Sequence, residues 1–167
     1  ISACLVGSEM CIRDSDAMGD REHVLEYLQR SLKQCEHVEN PAIIARTINN
    51  LGGVYLEQGQ LKQALEHYQR ALKLFNQSGN PANTALIYHN IGFCYQKQNK
   101  IQEARENYEK SLRMYEQLGP GFFLDVATAF EFLADCYQSE GNQEMSEQLR
   151  IQARRVCKKS VESKDKN

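Results

Sequence analysis

Apolar residues recur every three or four positions along most of the chain, and short polar stretches interrupt this pattern at regular distances. Apolar residues at that spacing form one face of an α-helix. The polar stretches contain Gly, Asn or Pro, and Asn40 and Asn80, each before a proline, suit the N-cap of the next helix. The pattern predicts an all-α chain with helices over residues 20–37, 41–57, 61–76, 81–98, 101–118, 122–139 and 142–159.

The predicted helices repeat as pairs. A motif that opens with Asn49, NNLGGVYLEQG, returns as HNIGFCYQKQN from His89 and more loosely as EFLADCYQSEG from Glu131. The helix that follows repeats as well, with a period of 40 residues. Its three copies are EYLQRSLK from Glu26, EHYQRALK from Glu66 and ENYEKSLR from Glu106. Repetition at this period indicates an array of helical hairpins that stack on one another to bury a shared core.

Small and aromatic residues recur at fixed places in these hairpins and resemble the tetratricopeptide repeat family. The matching positions are Leu51, Gly52, Tyr55, Gly59, Ala64, Tyr68 and Ala71, then Ile91, Gly92, Tyr95, Asn99, Ala104, Tyr108 and Ser111, and in a degraded third copy Leu133, Ala134, Tyr137, Gly141, Ser146, Arg150 and Ala153. The resemblance implies a right-handed α-solenoid of antiparallel helix pairs whose first helices line a concave groove. The repeats of 40–42 residues exceed the usual length of about 34 and imply longer helices.

The first fifteen residues do not follow the repeat. LVGSEMCIRD, from Leu5 to Asp14, resembles the translation of a sequencing-library adapter joined to a truncated transcript. We therefore expect residues 1–15 to be non-native and ill-defined, and the natural protein to continue upstream. The alternative is a natural helix that conforms poorly. The predicted domain plan is a solenoid over residues 16–159, with a half repeat at 20–38 and repeats at 41–78, 81–118 and 122–159, and a disordered tail over 160–167.

Beside the core-facing stripe of each first helix runs a second stripe that, by the family resemblance, faces the groove. Asn50 and Asn90 match an asparagine that commonly holds the backbone of an extended peptide in tetratricopeptide groove binders, since an amide both donates and accepts. Phe132 takes this place in the last repeat, where we expect an apolar pocket with Phe93. The candidate peptide-binding residues are Arg46, Asn49, Asn50, Glu57, His89, Asn90, Phe93, Lys97, Phe132 and Asp135. The alternative is that this stripe is the solvated side of amphipathic helices.

Composition narrows the function classes. Twenty Lys and Arg against twenty-two Asp and Glu give a net charge of −2, which favours neither nucleic acid nor an acidic membrane as partner. The six cysteines are dispersed, which favours a reduced, cytoplasmic protein without a metal site. No catalytic arrangement and no cofactor motif stands out. The basic segment with Arg154, Arg155, Lys158 and Lys159 suits a solvated helix end, the alternative being a site for an anion or lipid.

These observations favour a non-catalytic adaptor or scaffold that binds an extended segment of a protein partner in its groove. One alternative is a regulatory or oligomerisation module of a larger enzyme, and another is a solenoid that uses its convex face. A third is a ciliary or axonemal dynein-arm docking factor, because YHNIGFCY and QEARENYEKS are similar to the tetratricopeptide subunit of outer-dynein-arm docking complexes. The long repeats also resemble Pins/LGN adaptors and kinesin light chains. The oligomeric state stays open.

Sequencing of the intact transcript across the junction near Ser15 tests the adapter hypothesis. We expect codons for Leu5 to Asp14 to be absent and further repeat sequence to precede Asp20. Genuine codons for that segment would instead make residues 1–19 a natural part of the chain.

Overall fold

The computed structural model describes residues 21–35 and 40–164, and everything said below about structure concerns these residues. The segment over residues 1–15 that we expect to be non-native lies outside them. Seven α-helices cover most of the described chain. They are α1 (Arg21–Cys35), α2 (Pro41–Glu57), α3 (Leu61–Gln77), α4 (Pro81–Lys97), α5 (Ile101–Leu118), α6 (Phe123–Ser139) and α7 (Gln143–Lys164), with a short 3₁₀ turn at Pro120–Phe122 before α6. The all-α prediction is confirmed.

The last helix is longer than predicted. It ends at Lys164 instead of residue 159, so residues 160–164, which we expected to be disordered, are helical. This stretch, SVESK, contains neither Gly nor Pro, and therefore nothing in it stops a helix that is already propagating. Residues 165–167 lie outside the described part of the chain.

Asparagine side chains start two of the first helices, as the sequence predicted. The side-chain oxygen of Asn40 accepts hydrogen bonds from the backbone N–H of Ala42 at 3.1 Å and Ile43 at 3.4 Å. That of Asn80 accepts from the N–H of Asn83 at 3.1 Å. Each cap satisfies donors that the first turn leaves without a partner in the helix.

The turn inside each hairpin requires a left-handed residue. Gly59 has φ of +73°, Gly141 has +81°, and Asn99 has +60° at the equivalent place. Asparagine is among the few residues other than glycine that adopt this conformation at low cost. The turn residues of the repeat are thus fixed by backbone geometry.

The chain forms two compact units, Ile1–Gly79 and Asn80–Asn167. In the first, α2 packs against both α1 and α3, and the apolar face of α1 contributes Val24 and Leu28 to a core shared with Leu51 and Val54. In the second, α4 pairs with α5, α6 pairs with α7, and α5 also packs on α6. The helix pairs predicted from the repeat are present in both units.

Within the first two hairpins, the helices approach closely where a glycine meets a tyrosine ring. A methyl group on Gly52 would lie 2.7 Å from Cε1 and 2.8 Å from Cδ1 of Tyr68. In the second unit, a methyl group on Gly92 would lie 2.9 Å from Cε1 of Tyr108 and 3.1 Å from the carbonyl oxygen of Ala104. Both tyrosines are buried. The same contact, between a glycine of the first helix and a tyrosine ring of the second, therefore occurs once in each unit.

The third hairpin, α6 with α7, carries a different pair at the same positions. Ala134 takes the place of the glycine and is fully buried, and Arg150 takes the place of the tyrosine. The Arg150 side chain stays 31% exposed and turns its guanidinium toward carboxylates of α6. With no aromatic ring to accommodate, the first helix of this hairpin tolerates a side chain larger than hydrogen.

Gly52→Ala should lower the free energy of unfolding by about 1–3 kcal/mol, because the new methyl group would overlap the buried ring of Tyr68. Gly53→Ala is the matched control, since the nearest atom from there is Tyr68 Oη at 3.9 Å and alanine favours a helix over glycine by about 1 kcal/mol. Urea unfolding followed by circular dichroism measures both changes. If the two variants are equally stable, the close contact does not hold the hairpin.

Candidate protein-binding face

The ten predicted peptide-binding residues lie on first helices, and each of them is at least partly exposed. Those of the first unit are on α2, and those of the second unit are on α4 and α6. The α2 set is Arg46, Asn49, Asn50 and Glu57, the α4 set is His89, Asn90, Phe93 and Lys97, and the α6 set is Phe132 and Asp135. The sequence placed them on a stripe beside the core-facing one, and their exposure ranges from partly buried to exposed. Whether they bind a peptide stays a prediction.

In the first unit, the two adjacent amides of α2 contact each other. Nδ2 of Asn49 donates to Oδ1 of Asn50 at 3.4 Å, which is the long end of the hydrogen-bond range. On the next residues of the chain, Leu51 and Gly52 are buried in the unit's core. The packing thus holds the backbone that carries the two amides.

In the second unit, four aromatic side chains form one cluster: His89 and Phe93 of α4, Tyr108 of α5 and Phe132 of α6. We call these four residues the aromatic cluster. The ring centroid of Phe132 lies 4.7 Å from that of His89, 5.2 Å from that of Tyr108 and 5.8 Å from that of Phe93. Phe93 and Phe132 meet edge to face at 83°, a favourable arrangement for aromatic rings.

This cluster joins the two residues at which we expected an apolar pocket. Phe93 and Phe132 pack on each other and on the core around Tyr108 and form a partly exposed apolar patch, and a pocket beside them stays a prediction. The side chain of Tyr108 is anchored below the patch, because its hydroxyl donates to Oε1 of Gln96 at 2.9 Å.

The environment of His89 makes it a neutral residue. Burial against the cluster lowers its pKa from 6.5 to about 4, because the apolar surroundings disfavour the charged imidazolium. At neutral pH, His89 therefore has one ring nitrogen that donates and one that accepts. It is suited to a hydrogen bond with a ligand and unsuited to pairing with an acidic group.

Charged groups on this face already have partners within the chain. Nζ of Lys97 lies 5.1 Å from the ring centroid of Phe93, a cation–π contact. Asp135 binds Arg150 of α7, with 3.0 Å between its Oδ1 and the guanidinium Nη2. The same guanidinium lies 3.8 Å from a carboxylate oxygen of Glu131 and donates to Gln138 at 2.6 Å.

Arg150 is the member of this face that sequence reasoning missed. The predicted stripe included only first-helix residues, and Arg150 belongs to a second helix. The signal was present, because position 150 is where the two other copies have Tyr68 and Tyr108. A cation in place of a core tyrosine predicts a side chain that leaves the core, and the neighbouring acids at residues 131 and 135 indicate where it goes.

Two of the three cysteines in the second unit belong to its core, and the third, Cys157, is exposed. Cys94 and Cys136 are buried, and burial raises the pKa of each thiol to about 11, so both are protonated at neutral pH. Within residues 21–35 and 40–164, no group of three or more His, Cys, Asp and Glu is placed to hold a metal ion. Over the same residues, no helix has the length and apolar character needed to cross a membrane.

A profile of the tetratricopeptide repeat family matches residues 17–77 and again residues 43–117. Together these matches span more than half of the chain. No curated protein matches in sequence.

Solved structures share the fold at low identity. BtubC (BKLC) from P. vanneervenii is 22% identical, with a TM-score of 0.78 over 85% of this chain and 58% of its own. RapI in its apo form is 19% identical, with a TM-score of 0.79 over 89% of this chain and 53% of its own. The TPR domain of Arabidopsis FLU is 18% identical, with a TM-score of 0.62 over 69% of this chain and 95% of its own. The chain thus spans little more than half of BtubC or RapI.

The lowered pKa of His89 predicts a pH-dependent stability. Between about pH 4 and 6.5 the unfolded chain binds a proton at this residue that the folded chain does not, so the free energy of unfolding should fall as the pH falls through this window. The size of the effect is on the order of 1–3 kcal/mol. His89→Asn, which installs the residue found at the equivalent position 49, should remove that part of the dependence.

Urea unfolding of both proteins at pH 7 and pH 4.5 measures this difference. Carboxylates and His67 titrate in both proteins, so the comparison isolates His89. Equal losses of stability in the two proteins would show that residue 89 is not buried in its neutral form.

Proposed function

The chain belongs to the tetratricopeptide repeat family, and we propose that it is a non-catalytic adaptor that binds extended segments of a cytoplasmic protein partner. Its repeats form a protein-interaction scaffold, which is the general role of the family. The finer proposal concerns the surface and the mode of binding. It assigns binding to the first-helix face of each unit, with Asn50 in the first and Asn90 in the second.

One observation carries this proposal: each of these asparagines sits directly before a buried Leu-Gly or Ile-Gly pair and is itself partly exposed. Because Gly52 and Gly92 lie against buried tyrosine rings, the backbone that carries each amide is held in place. A fixed amide that both donates and accepts can pair with the N–H and C=O of an extended peptide whatever its side chains are. Pre-organisation of this kind reduces the entropy lost on binding.

The residues around Asn90 support selectivity for the bound segment. His89 precedes it, Phe93 follows one turn later on the same face, and Lys97 lies one further turn along α4. The aromatic cluster supplies apolar contact area beside the amide, and Lys97 supplies positive charge. We propose that the second unit prefers a segment with an apolar side chain followed by an acidic one.

The charged residues of the other sets take part less directly. Asp135 already holds Arg150, so a basic side chain of a partner would have to compete with that guanidinium. In the first unit, Arg46 and Glu57 lie about one turn before and two turns after Asn50 on α2, and Asn49 bonds to it. We propose that Arg46 and Glu57 influence which side chains of the peptide bind, while the amides bind its backbone.

Peptides selected against the purified chain from a random display library provide the ligands for a test. With such a peptide, Asn90→Ala or Asn50→Ala should weaken binding roughly tenfold, since an amide that loses its backbone hydrogen bonds costs about 1–2 kcal/mol. Asn107→Ala is the matched control, because Asn107 is on the second helix α5 and bonds to the Glu103 carbonyl oxygen of its own helix at 2.7 Å. Fluorescence anisotropy measures each dissociation constant.

The control variant should bind like the unmodified chain. If both first-helix variants bind as tightly as the unmodified chain while changes on the second helices abolish binding, the partner uses the convex face and the proposal is wrong. Circular dichroism of each variant establishes that a loss of binding is not a loss of fold.

A further inference from the structure

The second unit contains a cleft of about 450 Å³ on a different side of α6 from the aromatic cluster. The end of α5, the turn after it, the first half of α6 and the second half of α7 border this cleft. Its apolar floor consists of Phe123, Val126 and Phe130 of α6 and Val156 of α7. Phe130 lies two residues before Phe132, and two residues on a helix turn the side chain to roughly the opposite side. The cleft and the aromatic cluster are therefore separate surfaces.

Two cations border the cleft on one wall. Arg155 and Lys159 both line it, and they lie four residues apart on the same face of α7. No ion pair joins either of them to another residue in the described part of the chain, whereas the adjacent Arg154 contacts Glu147 at 3.5 Å. Glu116, near the end of α5, is the acidic residue of the lining.

The size and lining of the cleft fit a small ligand. Ligand sites in proteins enclose about 300–1,000 Å³ and combine an apolar surface with a few polar groups that fix orientation. Here the apolar floor would hold a hydrocarbon body, and the two neighbouring cations would hold a single anionic head. Glu116 repels an anion at the α5 wall, so the head is directed toward α7.

We propose that this cleft binds a small amphipathic carboxylate, with its hydrocarbon chain on Phe123, Val126 and Phe130 and its carboxylate between Arg155 and Lys159. An arginine and a lysine one turn apart on a helix present their donors to the same carboxylate. The site is independent of the peptide-binding face, because it uses none of the residues assigned to that face.

Decanoate is the probe, used below its micellar concentration, and heteronuclear NMR of the full chain is the measurement. Saturable shifts should appear at the methyl groups of Val126 and Val156. Decanol, which has the same chain without the charge, should bind at least fivefold more weakly, and decylamine more weakly still. Rising salt concentration should weaken the binding of decanoate more than the binding of decanol.

Variants on α7 give a matched comparison. The double variant Arg155→Gln/Lys159→Gln should weaken the binding of decanoate at least fivefold. The control is the double variant Arg154→Gln/Lys158→Gln, which removes the same charge from the same helix outside the cleft. It should leave the affinity for decanoate within twofold of the unmodified chain. Glu116→Gln should tighten binding about twofold or more, since it removes the repulsion. Weaker binding after loss of Arg155 and Lys159, together with tighter binding after loss of the Glu116 charge, would distinguish a defined headgroup site from general attraction to a basic helix.

Three outcomes would overturn the proposal. Equal losses in the two double variants would show nonspecific charge attraction, and equal binding of decanoate, decanol and decylamine would show an apolar surface without headgroup recognition. Shifts confined to other regions would place the ligand elsewhere. If instead the selected peptides occupy the cleft and decanoate does not, the site belongs to a polypeptide. None of these outcomes decides whether peptide binding depends on Asn90, because the variants of that residue test it separately.

Discussion

The close approach of a glycine to a tyrosine ring governs the first two hairpins. A helix pair can come this near only where one partner has no side chain, and the buried ring then fills the space that remains between the helices. That contact also fixes what lies on the other side of the first helix. Asn50 and Asn90 are each two residues before such a glycine, so the packing inside the unit determines the position of the amides on its surface.

The third hairpin shows what happens when this contact is absent. Without a tyrosine, α6 and α7 are joined across their exposed edge by Arg150, which reaches Glu131, Asp135 and Gln138. The aromatic cluster ends here, because Phe132 closes it against the tyrosine of the preceding repeat. Exposed ion pairs contribute less to stability than a buried ring. The third hairpin thus adds polar contacts at its exposed edge to the apolar packing of Val126, Ala127 and Phe130 against Ala153.

Much of the fold could be predicted from the sequence because the signals are local and repeated. The bounds of α2 and α5, the Asn40 and Asn80 caps and the left-handed turn at Asn99 all follow from residues that are neighbours along the chain. The candidate face could be predicted only as a list of exposed positions. The neutral state of His89 depends on a ring brought in from α6, and the pairing of Asp135 depends on a residue of α7. A pattern along one helix does not contain such contacts between helices. The end of α7 was missed because we expected the last residues of the sequence to be disordered, whereas residues 160–164 continue the helix.

The exchange of glycine and tyrosine for Ala134 and Arg150 also restricts the order in which the two positions can change. If alanine appeared first, its methyl group would meet a tyrosine ring at less than a permissible distance, as the geometry at Gly92 shows. If the tyrosine were replaced first, glycine beside arginine would leave space and no clash, and alanine could follow. A repeat of this kind therefore diverges at lower cost to its stability when the tyrosine is replaced before the glycine.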